Sequence, residues 1–257
     1  NRTSHSDFHF SDLRGMRDPR DGKVKPVTVY LSINMVDAQA LNPITAIFIE
    51  LMSNFLLANP PGAEHHGQKL GECPVLFVLD EMPKMQKMQA VIQGPDLGRG
   101  QKISYLLIGQ DLNQIAEKYG HEAADIIIST TAAKIVMRQN DPKTAERFSS
   151  MMGMKMKKEK GGDGKEVTKE SLLYTPMDIM KMAADKQLVI FQGWYHRPIE
   201  ADKQMAYKDS RLSKLMAMGE APPLPEFLVA SHHRALGFAG TPKIYYPATK
   251  EIKVLSE

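Results

Sequence analysis

The stretch that decides the fold is CPVLFVLDEMPKM, Cys73–Met85, in which five apolar residues run directly into two adjacent acids. The apolar residues, Val75–Leu79, predict a buried strand bounded by polar residues. Asp80 and Glu81 stand where that strand ends. These acids are either the metal-binding and catalytic end of a nucleotide site or only the polar end of a buried strand.

Outward from this strand, short apolar runs alternate with helical patterns. Further strands are predicted at 27–34, 103–109, 132–138 and 187–193, and the segment 197–204 is placed to pair with the last of them across a turn. Near-continuous apolar strands that alternate with helices predict an α/β fold, with a mainly parallel sheet covered by helices on both faces.

The helices are predicted from apolar spacing and capping residues. One begins at the N-cap Asn42, with Pro43 in its first turn, and ends before residues 59–62. Another covers about residues 85–97, with a break or kink at Gly94 and Pro95. Two more follow the N-cap residues Asp111 and Asp141 and end at Gly120 and Gly153.

The composition indicates a globular protein without disulfides. Of the 257 residues, 42% are hydrophobic, which is enough for one large domain or two small ones. The single cysteine, Cys73, excludes an internal disulfide and a cysteine-based zinc site and is typical of a reducing cytoplasm. No uncharged apolar run of about 18 residues is present, so we expect no membrane span. The polar start without an initiator Met favours a piece of a longer protein.

Several side chains are candidates for nucleotide chemistry, and each has a simpler structural interpretation. In doubly wound folds, ligands lie at the carboxyl ends of the strands, where Asp80, Glu81 and Gln110 are predicted. Gln110 either senses a γ-phosphate or caps the next helix. Arg99, between glycines, either reaches across a subunit boundary or is a surface arginine. A phosphate-binding loop of the form G-x-x-x-x-G-K-[ST] is absent from the sequence.

Two charged groups are less specific. The pairs at 65–66 and 232–233 are histidines in polar loops without spaced acid or cysteine partners, which disfavours a metal site. The segment 154–170 is rich in Lys and Gly and is predicted to be an exposed excursion. Its lysines Lys155, Lys157, Lys158 and Lys160 either contact phosphates or cover a solvated loop.

The order of the motifs resembles one family. The chain carries, in sequence, SDFHFSDLRGM, VTVYLSIN, VLFVLDEMPKM, LLIGQDLNQIAEKYG, RQNDPKTAERFSSMMG, LLYTPMDIMKM, QLVIFQGWYHRPIEADK and APPLPEF. This series is similar to the C-terminal part of the nucleotide-binding domain of the VirD4/TraG coupling proteins of type IV secretion and conjugation. The resemblance extends to about Phe227.

The resemblance implies a RecA-like P-loop NTPase fold that is incomplete here, because the half with the phosphate loop lies upstream in that family. Asp80 and Glu81 match the family's Walker B acids, with Asp80 expected to hold Mg²⁺ through water. Gln110 matches the glutamine that ends the next core strand, and Arg99 matches an arginine that reaches the neighbouring subunit's nucleotide. ATP and Mg²⁺ are the implied ligands, bound by Asp80 and Gln110 on this chain.

The resemblance also implies the cellular setting. We expect residues 1–220 to form part of the nucleotide-binding domain and residues 221–257 a C-terminal extension. The complete protein would be a homo-hexameric ATPase on the cytoplasmic side of the bacterial inner membrane, anchored there by a missing N-terminal segment, while this piece alone would be soluble, cytoplasmic and inactive. Its partners would be channel components, a relaxase–DNA complex or effector proteins, and possible DNA contacts.

Two other functions stay open. The chain is alternatively a non-catalytic platform of the same system that recruits substrates or adaptors through the C-terminal segment and the Lys/Gly-rich excursion. An unrelated doubly wound ligand-binding domain is the third interpretation.

Overall fold

The computed structural model describes residues 9–18, 21–31, 33, 38–160, 166–193, 197–217, 243–245 and 252–254. These residues form two compact units. The first comprises the described residues of Asn1–Leu79, Met85–Leu106 and Met218–Glu257, and the second comprises Asp80–Lys84 and Leu107–Ala217. The predicted boundary between residues 220 and 221, the histidine pair at 232–233 and most of the C-terminal extension lie outside the described residues.

Before its C-terminal segment, the described part of the first unit contains two α-helices and six strands, and the sixth strand ends one residue inside the second unit. The elements are β1 Met16–Arg17, β2 Val24–Lys25, α1 Ala38–Ala58, β3 Glu64–His65, β4 Gln68–Lys69, β5 Val75–Leu79, α2 Gln89–Leu97 and β6 Ile103–Leu107.

The predicted strand before the two acids is confirmed as β5, and β6 is its hydrogen-bonded neighbour. The amide of Val75 donates to the carbonyl of Lys102, and the amide of Met82 donates to that of Ile108. Both partners advance along the chain together, so the pair is parallel. In β5, Val75, Phe77 and Leu79 are buried, whereas Leu76 and Val78 are 58% and 55% exposed. The described residues of the first unit therefore cover only one face of this pair.

Helix α1 starts earlier than its sequence signals predict. It runs from Ala38, so Asn42 is not its N-cap and Pro43 lies inside the helix. Pro43 is exposed, and it lacks the N–H that would donate to the carbonyl four residues earlier. Residues 40–58 are also long and apolar enough to cross a membrane, a property that core helices of globular proteins share. In this structure, 28% of the segment is buried. Glu50 interrupts its apolar run.

The strand predicted at 27–34 is wrong for the residues that the structure describes, because residues 27–31 and 33 have no regular structure. A strand forms only where its backbone groups have a paired neighbour. Within the described residues, none pairs with this segment, and Tyr30 is 87% exposed. High β-propensity is therefore not sufficient here.

Helix α2 begins and ends differently from the prediction. Its first residue is Gln89 rather than Met85, because a short 3-10 turn, Met82–Lys84, follows the acids. The helix then continues through Gly94 and Pro95 to Leu97. The carboxylate of Glu50 on α1 accepts a hydrogen bond from the amide of Ala90 at 3.1 Å, so a side chain from another helix caps α2.

The second unit holds the remaining helices and longer strands. Its elements are α3 Leu112–Tyr119, α4 His121–Thr130, β7 Ala133–Val136, α5 Pro142–Met151, β8 Met154–Lys160, β9 Glu166–Leu172, α6 Pro176–Met180, β10 Lys186–Phe191, β11 Ile199–Asp202 and α7 Ser210–Met216. Two short strands near the C-terminus, β12 Lys243–Tyr245 and β13 Ile252–Val254, belong instead to the first unit and pair in antiparallel fashion.

The sheet of the second unit has the order β11-β10-β7 and is antiparallel throughout. The predicted pairing of 187–193 with 197–204 is confirmed by the β10–β11 hairpin. Between β7 and β10 the chain passes through α5, the β8–β9 hairpin and α6. The core beneath consists of Val136, Ala145, Met152, Ile179 and Leu188.

Two helix starts follow their capping residues as predicted. Asp111 accepts from the amide of Gln114 at 2.9 Å, and Asp141 accepts from the amide of Thr144 at 2.7 Å. Helix α4, in contrast, has no counterpart in the sequence prediction. Its second half, Ile126–Thr130, consists of four β-branched residues and one serine, which have weak helix propensity, and burial of Ile127 and Ile128 overrides that preference.

Candidate functional site

The candidate site begins where β5 ends, at a left-handed turn. Glu81 has φ +51°, a conformation that costs a non-glycine residue about 1 kcal/mol or more. The Asp80 carboxylate accepts a hydrogen bond from the amide of Glu81 at 3.0 Å. Asp80 thereby stabilises the turn that contains Glu81.

Gln110, which follows β6, meets Glu81 directly. Its amide Nε2 donates to the two Glu81 carboxylate oxygens at 3.0 and 3.4 Å. The backbone brings the two segments together, because the amide of Met82 donates to the carbonyl of Ile108 at 2.9 Å. A Cβ on Gly109 would lie 3.0 Å from Pro83 Cγ, so this close approach favours glycine.

Lys84 is a member of this cluster that sequence reasoning missed. Its Nζ lies 3.1 Å from Glu81 Oε2, and the 3-10 turn places it three residues after the glutamate. The i, i+3 spacing of acid and lysine is visible in the sequence, but it is informative only once a helical turn is known there. The hydrogen bond from Gln110, and then that from Lys84, hold the pKa of the Glu81 carboxyl below its ordinary value.

Asp80 has the chemistry of a ligand for a hard cation. Its side chain is exposed, and among the described residues none donates to Oδ2. Carboxylate oxygens are the donors that Mg²⁺ prefers, and Mg²⁺ commonly keeps several waters and needs only one or two protein carboxylates. In the part of the chain that the structure describes, no three His, Cys, Asp or Glu side chains converge on a possible metal site.

Arg99 belongs to the first unit, whereas the Asp80–Glu81–Gln110 cluster belongs to the second. It starts a 3-10 turn, Arg99–Gln101, directly after α2, and its side chain is exposed. Within the second unit, the structure thus brings together Glu81 and Gln110, with Asp80 beside them. An exposed guanidinium on a turn is available to another molecule.

The histidine pair of the first unit lies in a tight hairpin. His66 and Gly67, with φ +48° and +75°, form the turn between β3 and β4. His65 packs edge-on against Phe55 at 5.0 Å, and burial holds its pKa below the ordinary value. These contacts give His65 a packing role.

Comparison with known proteins identifies the chain's relatives. VirD4 of Rhizobium radiobacter is 24% identical over 240 residues, which cover 88% of this chain and 32% of that protein. TraG of Escherichia coli is 27% identical over 159 residues, which cover 58% of this chain and 23% of that protein. The chain therefore spans about a third of the VirD4 length, and the predicted resemblance to VirD4 and TraG is confirmed.

The solved structures of the plasmid coupling protein TrwB share the fold. TrwB in complex with ADP and Mg²⁺ matches with a TM-score of 0.59 at 17% identity, over 79% of this chain and 45% of TrwB. TrwB has also been solved with the ATP analogue ADPNP, at the same TM-score. The predicted α/β, RecA-like fold is confirmed by this likeness.

The similarity to one protein family covers most of the sequence. The family described as type IV secretory system conjugative DNA transfer matches residues 1–227. This chain therefore belongs to that family.

Proposed function

We propose that this chain is the C-terminal portion of the nucleotide-binding domain of a coupling ATPase, which delivers DNA–protein or effector substrates to a type IV secretion channel. The observation that carries the proposal is the Glu81 carboxylate, held at a strand end by the Gln110 amide at 3.0 Å. A carboxylate beside a polar amide at the carboxyl ends of neighbouring parallel strands is the arrangement that a P-loop NTPase uses.

The roles divide between the carboxylates and the amide. Glu81, kept ionised by its donors, orients the attacking water and accepts its proton. The Gln110 amide donates a hydrogen bond to Glu81. When ATP is present, the same amide would donate to a γ-phosphate oxygen instead, and the Glu81 carboxylate would be released to act on water. Asp80 would hold Mg²⁺ through water, and the metal would neutralise charge on the phosphate oxygens.

Lys84 and Arg99 have supporting roles in this proposal. Lys84 keeps one Glu81 oxygen in place when Gln110 turns to the phosphate, since its contact is to Oε2 while the shorter Gln110 contact is to Oε1. Arg99, exposed on its turn, reaches the nucleotide of the neighbouring subunit, so hydrolysis depends on assembly.

The phosphate loop is proposed to belong to another part of the complete protein, since this sequence contains no such loop. The exposed face of the β5–β6 pair supports this, because Leu76, Val78 and Leu106 there are 58%, 55% and 42% exposed and would be covered by further chain. We assign residues 1–220 to the nucleotide-binding domain and 221–257 to an extension. The complete protein would be a hexamer on the cytoplasmic side of the inner membrane.

The test uses the complete protein, purified with its phosphate loop. Glu81→Gln is expected to lower kcat about 100- to 10,000-fold, because it removes the base, while nucleotide affinity is retained. Glu117→Gln, on the exposed side of α3, is the matched control and should leave kcat unchanged. Normal hydrolysis by Glu81→Gln would refute the assignment of the base.

Two further variants separate the supporting roles. Arg99→Ala is expected to remove most of the hydrolysis that assembly stimulates, by about 1,000-fold or more, without changing the rate of dispersed subunits. Lys84→Met should lower kcat with little change in KM, whereas Lys181→Met, an exposed lysine after α6, should change neither. Equal behaviour of the two lysine variants would remove Lys84 from the site.

The alternative, a non-catalytic recruitment platform, predicts no nucleotide hydrolysis by the complete protein. A complete protein that hydrolyses no nucleotide, while this chain captures relaxase or effector substrates, would favour the non-catalytic role. Nucleotide binding by the isolated chain would contradict the proposal that the phosphate loop lies elsewhere.

A further inference from the structure

A long hairpin leaves the second unit between α5 and α6. Strands β8, Met154–Lys160, and β9, Glu166–Leu172, pair in antiparallel register over seven residue pairs, from Met154 with Leu172 to Lys160 with Glu166. At about 3.4 Å per residue, the paired strands extend roughly 20 Å. The amide of Leu173 donates to the carbonyl of Gly153 at 2.9 Å and closes the base.

Lysines concentrate on one face of the half nearest the base. Residues that lie opposite each other in an antiparallel pair share a face, as do residues two apart in one strand. Lys155 and Lys157 are therefore on the same face as Lys169, and Lys169 lies directly opposite Lys157. All three side chains are exposed. Like charges directly across a strand pair disfavour that pair, and a bound anion would relieve the repulsion.

The hairpin is also poorly supported by packing. Residues 154–158 and 168–170 are exposed on both faces, including Met154 and Met156 at 66% and 68%. A two-stranded hairpin with both faces in water is marginally stable. A basic, weakly packed hairpin therefore gains stability from a partner that carries regularly spaced negative charge.

The side chains present suit a phosphate backbone rather than bases. Neither strand contains an aromatic residue on which a base could stack. Lysine ammonium groups contact phosphates as point charges without reading sequence. The Nζ of Lys155 already donates to the carbonyl of Leu173 at 3.0 Å, and an ammonium has further donors for a phosphate oxygen.

We propose that the β8–β9 hairpin is a nucleic-acid contact surface, which binds the phosphate backbone of DNA through Lys155, Lys157 and Lys169 without sequence preference. This rests on the proposed function, for which DNA is a cargo, and adds to it the place where the chain touches that cargo. An extended strand pair with lysines two residues apart fits a linear polyanion better than the compact acidic patch of a folded protein, since its charge is spread along a line.

The experiment measures binding of this 257-residue chain to a fluorescein-labelled thymidine oligomer of about 16 nucleotides by anisotropy, at several salt concentrations. The variant combines Lys155→Gln, Lys157→Gln and Lys169→Gln. The control combines Lys143→Gln, Lys181→Gln and Lys208→Gln, which are exposed lysines elsewhere in the second unit. Both triples change the net charge equally.

The hairpin triple is expected to weaken binding at least tenfold at low salt and to lower the slope of log K against log salt by about two, because each phosphate contact to a single strand contributes about 0.7. The control should weaken binding less than threefold and keep the slope. Equal losses from both triples, or no binding by the wild-type chain, would overturn the proposal. Binding of poly-glutamate as tightly as DNA would overturn it in favour of an acidic protein partner.

A single substitution separates hairpin stability from binding. Lys169→Glu places a negative charge directly opposite Lys157, which should stabilise the hairpin and slow amide exchange in β8. The same substitution removes a positive charge from the contact surface, so DNA binding should weaken. Slower exchange with unchanged binding would refute the contact. If the complete protein hydrolyses ATP but the hairpin fails these tests, the proposed ATPase function stands and the hairpin proposal falls. If the hairpin binds DNA but the complete protein hydrolyses no ATP, only the proposed ATPase function is refuted.

Discussion

Replacement of Gly94 by alanine tests the packing that positions the turn of Arg99. A Cβ built on Gly94 lies 2.4–2.7 Å from ring atoms and the hydroxyl of Tyr105, far inside the normal contact distance of about 3.5 Å. The ring cannot easily move away, because it stacks on Phe77 at 5.0 Å and its hydroxyl is hydrogen-bonded to Ser53 at 2.7 Å.

The magnitude follows from three terms. Overpacking of a filled site costs about 1–3 kcal/mol, and loss of the Ser53–Tyr105 hydrogen bond costs about 1 kcal/mol. Alanine in place of glycine inside a helix returns about 1 kcal/mol. We therefore expect Gly94→Ala to lower the free energy of unfolding by about 1–3 kcal/mol, although helix propensity alone predicts a gain.

The assay is urea unfolding, together with amide exchange of α2. Gly100→Ala is the matched control, because a Cβ there meets no atom within 4 Å, and it should be neutral or slightly stabilising. Removing the ring with Tyr105→Ala should make Gly94→Ala harmless in the double variant. A Gly94→Ala protein as stable as Gly100→Ala would refute the reasoning.

Three other predictions concern buried and capping groups. Arg14 is fully buried and donates to the carbonyls of Leu56 and Cys73, so Arg14→Lys should cost about 1–3 kcal/mol in urea unfolding, and unchanged stability would contradict this. Glu50→Ala removes the cap of α2 and should cost about 1 kcal/mol and speed exchange of its first amides. The Thr144 backbone amide and side chain hold the pKa of Asp141 below its ordinary value, so its stabilisation is complete above about pH 4 and is lost as the pH falls through the lowered pKa. The urea midpoint of Asp141→Asn should therefore fall less between pH 5 and 2 than that of the wild type, and parallel curves would exclude the effect.

The sequence predicted those elements whose signals are local. Strand β5 and the starts of α3 and α5 were predictable because an apolar run and a capping aspartate act within a few residues. The segment 27–34 was mispredicted because a strand needs a partner that no local signal reveals. The start of α2 was predicted too early, because its cap is Glu50, which is 40 residues away in the sequence.

The candidate site was predicted as residue types but not as a geometry. Asp80, Glu81 and Gln110 were placed at strand ends, and the contact between Gln110 and Glu81 follows from the parallel neighbours β5 and β6. Lys84 was missed because its contact depends on a 3-10 turn that lies between the predicted strand and the predicted helix. The left-handed conformation of Glu81 was also not predictable, since glutamate has no preference for it.

That conformation is the strongest local argument that Glu81 is more than the end of a strand. Three non-glycine residues in the described part of the chain have positive φ: His66, Glu81 and Lys102. His66 occupies a two-residue hairpin turn that requires this conformation, and Lys102 ends the 3-10 turn before β6. Glu81 instead lies between a strand and a turn, where glycine would adopt the same backbone without strain. Glycine would form this turn with less strain, whereas glutamate supplies the carboxylate that contacts Gln110 and Lys84.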